Sequence, residues 1–411
     1  MVDISWVFVT MVAILVVTGL LRWPLPIGLI LAAIGGALIA GFGLPFRHLV
    51  EGGFGYLNLI LALFAGAFFG QVMRESGAAD ALAASVASPQ RPLFALFAAG
   101  LPLFLTGMFT GIAGVAVLTA GTFAAAILNR AGLPPVRAAA YIALMGTLGM
   151  IAPPLNVPAM VMADGVNMPF AGFATSLLAL SLPCAAFALL TFARGIEAPP
   201  ALATAAADNR RRNAALGAIS ILGIILFWAI IRYRPTIAFD PSIPLVLVVG
   251  ALTGLFMLSA RGWMDVARQV FSGTPLMLAA VLIAVGVLVQ IMALTGVRGW
   301  LVINAIYAAL AGLPLLGSVL TSIGVSNSLG VPFAFAFIHQ DMILNISALS
   351  AISALAEFCP PTAISTALAA YVVGTDNLWA IIRAALPTLL LLTVLAVLML
   401  IFNPVLAPYL R

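Results

Sequence analysis

Apolar residues run along this chain almost without interruption, and the gaps between runs fall at arginine, proline and glycine. Runs of about 18 or more apolar residues are long enough to cross a bilayer as helices. Length and break points predict spans over Ile4–Leu20, Pro26–Leu44, Phe54–Met73, Phe170–Phe192, Ala215–Ile231, Ile243–Ala260, Pro275–Met292 and Leu378–Phe402. Four segments do not fit a single plain crossing. Val136–Ala163 and Ile346–Val373 are each interrupted by a Pro-Pro pair, Pro153-Pro154 and Pro360-Pro361. Each pair removes two backbone donors and forces the preceding residue out of the α region. The carbonyls so freed need protein, water or an ion as partner at membrane depth. The other two segments, from Arg91 to about Leu128 and from Trp300 to about Leu344, are long for one span and rich in small polar residues at their centres. Both are predicted to be re-entrant helical hairpins. Arg194 to Asn213 reads as the one linker.

The two halves repeat. Gly70-Gln71-Val72-Met73 with Gly77 aligns with Val289-Gln290-Ile291-Met292 and Gly296 at a shift of 219, Leu101-Pro102-Leu103 with Leu313-Pro314-Leu315 at 212, and the Pro-Pro pairs at 207. The order in each half is span, hairpin, broken span, span. The expected architecture is therefore an all-α polytopic membrane protein built from two structural repeats. N-terminal scaffold spans occupy residues 1–50, the first repeat 51–193, a cytoplasmic linker 194–214, further scaffold spans 215–268 and the second repeat 269–411.

Composition sharpens this in three ways. With 64% hydrophobic and 7% charged residues, no stretch is left for a separate soluble domain. All seventeen basic residues are arginine, so the lysine of a Walker A loop is missing and the chain has no means of its own to use ATP. Placing the N-terminus outside leaves Arg47, Arg232, Arg234, Arg298 and Arg411 on that side and the other twelve on or near the cytoplasmic side, as the positive-inside rule asks. In this orientation the second repeat is inverted relative to the first. The basic balance is then topological, and no nucleic-acid partner is needed to explain it. Cys184 and Cys359 lie in apolar segments, which argues against a disulfide framework.

Candidate chemistry gathers at the hairpin centres and the breaks. The first hairpin offers Thr106, Thr110, Gly111 and Gly114; the first broken helix offers Gly146, Thr147, Gly149, Pro153, Pro154 and Asn156. The second hairpin offers Ser322, Ser326, Asn327 and Ser328, the last three read as a polar triplet at its tip; the second broken helix offers Glu357, Pro360, Pro361, Thr362, Ser365 and Thr366. Hydroxyl, amide and freed carbonyl oxygens suit a hard cation such as Na⁺, and half-helix N-termini suit a carboxylate. The competing reading is that small and hydroxylated residues only let helices pack closely. Glu357 is the one carboxylate expected at membrane depth, whereas Asp164, Asp341 and Asp376 fall near segment ends. His48 and His339 lie in loops without metal-ligand company. A Ser-His protease is disfavoured because neither histidine falls mid-membrane.

The run Arg130-Ala131-Gly132-Leu133-Pro134, then Arg137-Ala138-Ala139-Ala140, then Gly146-Thr147-Leu148-Gly149 with Pro153-Pro154 resembles the large membrane subunit (DctM type) of TRAP transporters, the tripartite ATP-independent periplasmic carriers. The resemblance implies an elevator-type, Na⁺-driven (or H⁺-driven) importer of an organic anion, commonly a dicarboxylate, in a bacterial inner membrane. It also implies two partners, a small four-span membrane subunit and a periplasmic substrate-binding protein. Residues at the hairpin tips and beside the breaks would then carry ion and substrate. Two places depart from the pattern: Thr110-Gly111-Ile112-Ala113-Gly114 stands where a serine-rich tip is usual, and Ala356-Glu357-Phe358-Cys359 where small residues usually precede the prolines. Ser326-Asn327-Ser328 looks more like the Ser-Asn-Thr motif of divalent-anion/Na⁺ symporters. A stand-alone symporter of related fold is thus the alternative.

Overall fold

The computed structural model describes residues 3–86, 91–196, 207–233, 242–255, 260–305, 321–360 and 363–410. These residues are all-helical, without a strand, and seven helices are long and apolar enough to cross a membrane. The architecture is that of an all-α polytopic membrane protein, the arrangement that satisfies every backbone group inside the segment itself.

The chain opens with α1 (Ile4–Leu20), α2 (Leu25–Ile39) and a short α3 (Phe46–Phe54), followed by α4 (Leu57–Glu75) and α5 (Ala78–Val86). Then come α6 (Pro92–Thr110), α7 (Ala113–Ala131), α8 (Pro135–Ile151), α9 (Val157–Gly165) and α10 (Ala174–Ala193). The middle of the chain holds α11 (Ala207–Tyr233), α12 (Ile243–Leu255) and α13 (Ala260–Val270), leading to α14 (Gly273–Leu294) and α15 (Val297–Ala305). Helical structure resumes at residues 321–325, continues through a π-helical stretch, Ser326–Gly330, and ends in α16 (Val331–Ala336). The last elements are α17 (Met342–Ala354), a 3₁₀ turn (Leu355–Phe358), α18 (Ile364–Val373), α19 (Leu378–Ile401) and α20 (Asn403–Leu410).

Local chemistry sets many of the ends. Asp3, Asp341 and Asn377 cap α1, α17 and α19 by accepting from backbone N–H groups of the first turn. Proline opens α2, α6, α8 and α9, where the missing N–H costs nothing. Asp341 is therefore a helix cap at a segment end, as its position in the chain suggested.

The hairpin expected after Arg91 is α6 and α7, packed along their whole length and joined at Gly111, whose left-handed φ of 67° reverses the chain. Each arm has 19 residues and so rises about 28 Å, enough with its apolar composition for a full crossing and more than the expected re-entrant hairpin needs. Both expected breaks are present, after Ile151 and after Phe358. The second hairpin differs from expectation. Its triplet Ser326-Asn327-Ser328 lies inside the helical run from 321 to 336, not at a turn, and the left-handed residue in this region is Thr321 (φ 67°). Residues 306–320 of that hairpin lie outside the described residues. The linker is also shorter than expected, because α11 already begins at Ala207.

Two further elements escaped the hydropathy reading, α3 and α13. Phe46, Val50 and Phe54 form an exposed stripe four residues apart on α3, beside an Arg47–Glu51 pair at 2.7 Å. Trp263, Met264 and Phe271 are exposed along or just after α13. Such short amphipathic helices suit a membrane–water boundary and vanish in a window sized for a full crossing.

Candidate functional site

Around the first break the glycines are packing residues. A Cβ on Gly149 would stand 2.3 Å from the Phe104 carbonyl oxygen, and one on Gly107 would meet the Gly146 carbonyl oxygen at 2.7 Å. α6 and α8 therefore touch backbone to backbone, and Gly146 and Gly149 have the role that the packing reading gave them. Gly114 serves the same purpose elsewhere: a Cβ there would reach Leu368 of α18 at 3.1 Å. Thr110 donates to the Thr106 carbonyl at 2.7 Å, the usual back-bond of a buried helical threonine. Thr106 and Thr147 are both 1% exposed, and their hydroxyls find no partner among the described residues.

The break itself runs from an extended Ala152 through Pro153 and Pro154, joined by a cis peptide bond, to Asn156. Asn156 is fully buried and uses both ends of its amide. Its Oδ1 accepts from the Ala159 N–H (2.9 Å), capping α9; its Nδ2 donates to the Ile151 carbonyl (3.1 Å) and to Ser350 Oγ on α17 (3.0 Å). One side chain thus closes both half-helices of the first break and ties them to the second broken helix.

At the second break the cap position belongs to Ala363, which sits at φ 36° and has no side chain to offer. Glu357 fills the role from the 3₁₀ turn. Its Oε2 accepts from the N–H (3.2 Å) and the Oγ (2.6 Å) of Ser365, in the first turn of α18. Its Oε1 accepts from Ser322 Oγ at 2.5 Å, and its backbone carbonyl accepts from Thr366 Oγ1 at 3.0 Å. Glu357 is 7% exposed and is the one charged residue buried among the described residues. No basic group lies within ion-pair distance of it among those residues. Its carboxyl group is thus held by neutral donors at a helix N-terminus, without a basic partner among the described residues. It has room in its chemistry for a proton or for a hard cation bound through oxygen. The described residues contain no cluster of three or more His, Cys, Asp or Glu side chains.

The structure gathers two hydrogen-bonded groups on the second broken helix: Asn156 with Ser350 on α17, and Ser322, Ser365 and Thr366 around Glu357 in the 3₁₀ turn. Ser326 donates to the Ser322 carbonyl at 2.7 Å and so belongs to the edge of the second group. Asn327 is exposed and instead meets Arg298, whose Nη2 donates to the Asn327 carbonyl and to its Oδ1 (3.0 Å). Ser328 contributes backbone to the π-helical stretch; its side chain, like Pro361 and Thr362, lies outside the described residues. Pro360 is half-buried at the break.

Sequence reasoning passed over three participants. Ser347, Ser350 and Ser353 are all fully buried on α17, and Ser347 pairs with Ser176 of α10 at 2.7 Å. Their spacing of three residues in an apolar segment was the available signal, since it puts all three on one helix face. Arg298 had been read only as loop charge. The chain matches no protein-family model and no curated protein.

Proposed function

We propose that this chain is a secondary active transporter, the large permease of a TRAP-type system, importing an organic anion in symport with Na⁺ or H⁺. The observation that carries the reading is the buried Glu357 carboxylate, hydrogen-bonded by Ser322 and Ser365 across a broken helix and without a basic partner among the described residues. Two broken helices in corresponding halves are the arrangement that transporters use for ion and substrate. Asn156 ties one break to the helix that carries the other, so a change at one can reach the second. In this proposal the halves are inverted repeats, the N-terminus is periplasmic, and the hairpins with the broken helices form the moving part of an elevator in a bacterial inner membrane. A small four-span subunit and a periplasmic binding protein supply capture.

Purified chain in liposomes, given isotope-labelled organic acids with and without a Na⁺ gradient or a pH gradient, tests the coupling. Gradient-dependent accumulation once the small subunit and the binding protein are added is the expected result, with little uptake by the chain alone, and uptake that only equilibrates would make the chain a passive channel. The stand-alone alternative has its own support in Ser326-Asn327-Ser328. Robust uptake by the isolated chain would favour it, whereas uptake that needs the two added partners favours the tripartite system.

A further inference from the structure

Two clefts open at matching places in the two halves. The first, about 380 Å³, is lined by Arg74 at the end of α4, Ala79 and Asp80 of α5, Asn129 of α7 and Val372 of α18. The second, about 620 Å³, is lined by Ala293 at the end of α14, Arg298 and Gly299 of α15, Gly165 of α9, and Asn327. A shift of 219 carries Arg74, Ala79 and Asp80 onto Ala293, Arg298 and Gly299, and a shift of 207 carries Gly165 onto Val372. The clefts are equivalent in position and differ in charge balance, the first holding both an arginine and an aspartate and the second an arginine alone.

In the first cleft the cation is already spoken for. Arg74 Nη2 donates to the Val372 carbonyl at the C-terminal end of α18, where the helix dipole is negative, and Asp80 lines the same space. In the second cleft Arg298 has no carboxylate within 4 Å among the described residues, and no acid lines the space. Asp164 neighbours Gly165 in the chain but is exposed and not part of the lining. The Arg298 side chain is half-buried, so its charge is partly desolvated, and among the described residues no carboxylate balances it. Among those residues its hydrogen bonds run from Nη2 to the two oxygens of Asn327, which leaves the rest of the guanidinium fork and the Asn327 amide nitrogen as donors there. Glycines at 165, 296 and 299 keep the walls low.

We infer that the Arg298 cleft binds the carboxylate of a small organic acid, with Arg298 as the recognising cation and Asn327 orienting it. The inference deepens the transporter reading and rests on it for its place in a transport cycle. A planar guanidinium takes a carboxylate through two parallel hydrogen bonds, which neutralises the charge and adds direction. The equivalent cleft around Arg74 and Asp80 has no net charge to offer, so binding is confined to one of the two.

Phenylglyoxal modification of the purified full chain, read at Arg298 and Arg74 by mass spectrometry, tests this directly. The probes are acetate, succinate, citrate and gluconate, each against its neutral amide. At least one acid is expected to slow modification of Arg298 several-fold, with its amide inert and Arg74 unaffected. For that acid, Arg298→Gln should raise the KM of uptake by about tenfold or more, and Arg298→Lys should recover part of it. No protection by any of the four acids overturns the inference, as does equal protection of Arg74, or an Arg298→Gln KM within about twofold of wild type. Protection of Arg298 in a chain that, with both partners added, accumulates none of these acids would keep the anion site and overturn the transporter reading.

Discussion

At the first break the half-helix that follows is capped by a neutral amide, and at the second by a carboxylate. Asn156 stands directly before α9 and can satisfy the Ala159 N–H while donating to Ile151 and Ser350. Ala363 stands in the corresponding place before α18, so the Ser365 donors there are met by Glu357 from across the break, whose other oxygen accepts from Ser322 of another segment. The first arrangement is complete in itself: amide oxygen and nitrogen are both used and no charge is left over. The second is complete in hydrogen bonds but not in charge. A neutral cap can only hold a structure together, whereas a carboxyl group in the same role can also take a proton or a cation. The surroundings differ in the same sense. Break one is braced by glycine contacts between α6 and α8, and Gly149 has Ala356 as its counterpart at a shift of 207. Break two is braced by hydrogen bonds to side chains.

Changes at Glu357 should have the largest effect. Glu357→Gln keeps an acceptor for Ser365 and removes the charge; uptake in liposomes should lose its Na⁺ or pH dependence while the protein stays monodisperse. Retention of both dependences at wild-type values would reduce Glu357 to a cap like Asn156. Glu357→Ala strips three donors of their charged partner and should cost on the order of 3 kcal/mol, measured as thermal unfolding in detergent. Next comes Gly149→Ala, which drives a methyl into the Phe104 carbonyl and should cost about 1–3 kcal/mol or more, with no change in ion dependence where protein survives. A selective loss of coupling in that variant would mean the two breaks are not divided as described.

Asn156→Ala removes a cap and two donated bonds and should cost about 1–2 kcal/mol. Asn156→Asp sharpens the comparison, since it preserves the cap on α9 but places a second carboxylate opposite Ser350. Ion dependence that shifts in Asn156→Asp would show that a charge at either break suffices. The smallest effect is expected for Ser350→Ala, under about 1 kcal/mol, as membrane side-chain hydrogen bonds average about 0.6. A double-mutant cycle of Ser350→Ala with Asn156→Ala should return a coupling of that size, and an additive result would dissolve the link between the breaks.

What the sequence by itself determined is the helical class, the two breaks and the first hairpin. Hydrophobic run length, proline and glycine act within a few residues of themselves, so they are readable without knowing any neighbour. The first hairpin turns at Gly111, within the glycine-rich centre that pointed to it, and both breaks lie beside their prolines. Glu357 was legible as a carboxylate placed where none should be without a reason. Its partners were not. Ser322 is 35 residues away and Asn156 meets Ser350 across 194, and such contacts depend on how whole helices cross. Likewise, nothing local separates a glycine that frees backbone for a ligand from Gly149, which exists to admit Phe104. Arg298 shows the same limit from the other side. In the sequence it is one of seventeen arginines, and only the packing of α15 against the Ser326–Gly330 stretch leaves it beside a cleft with no carboxylate among the described residues.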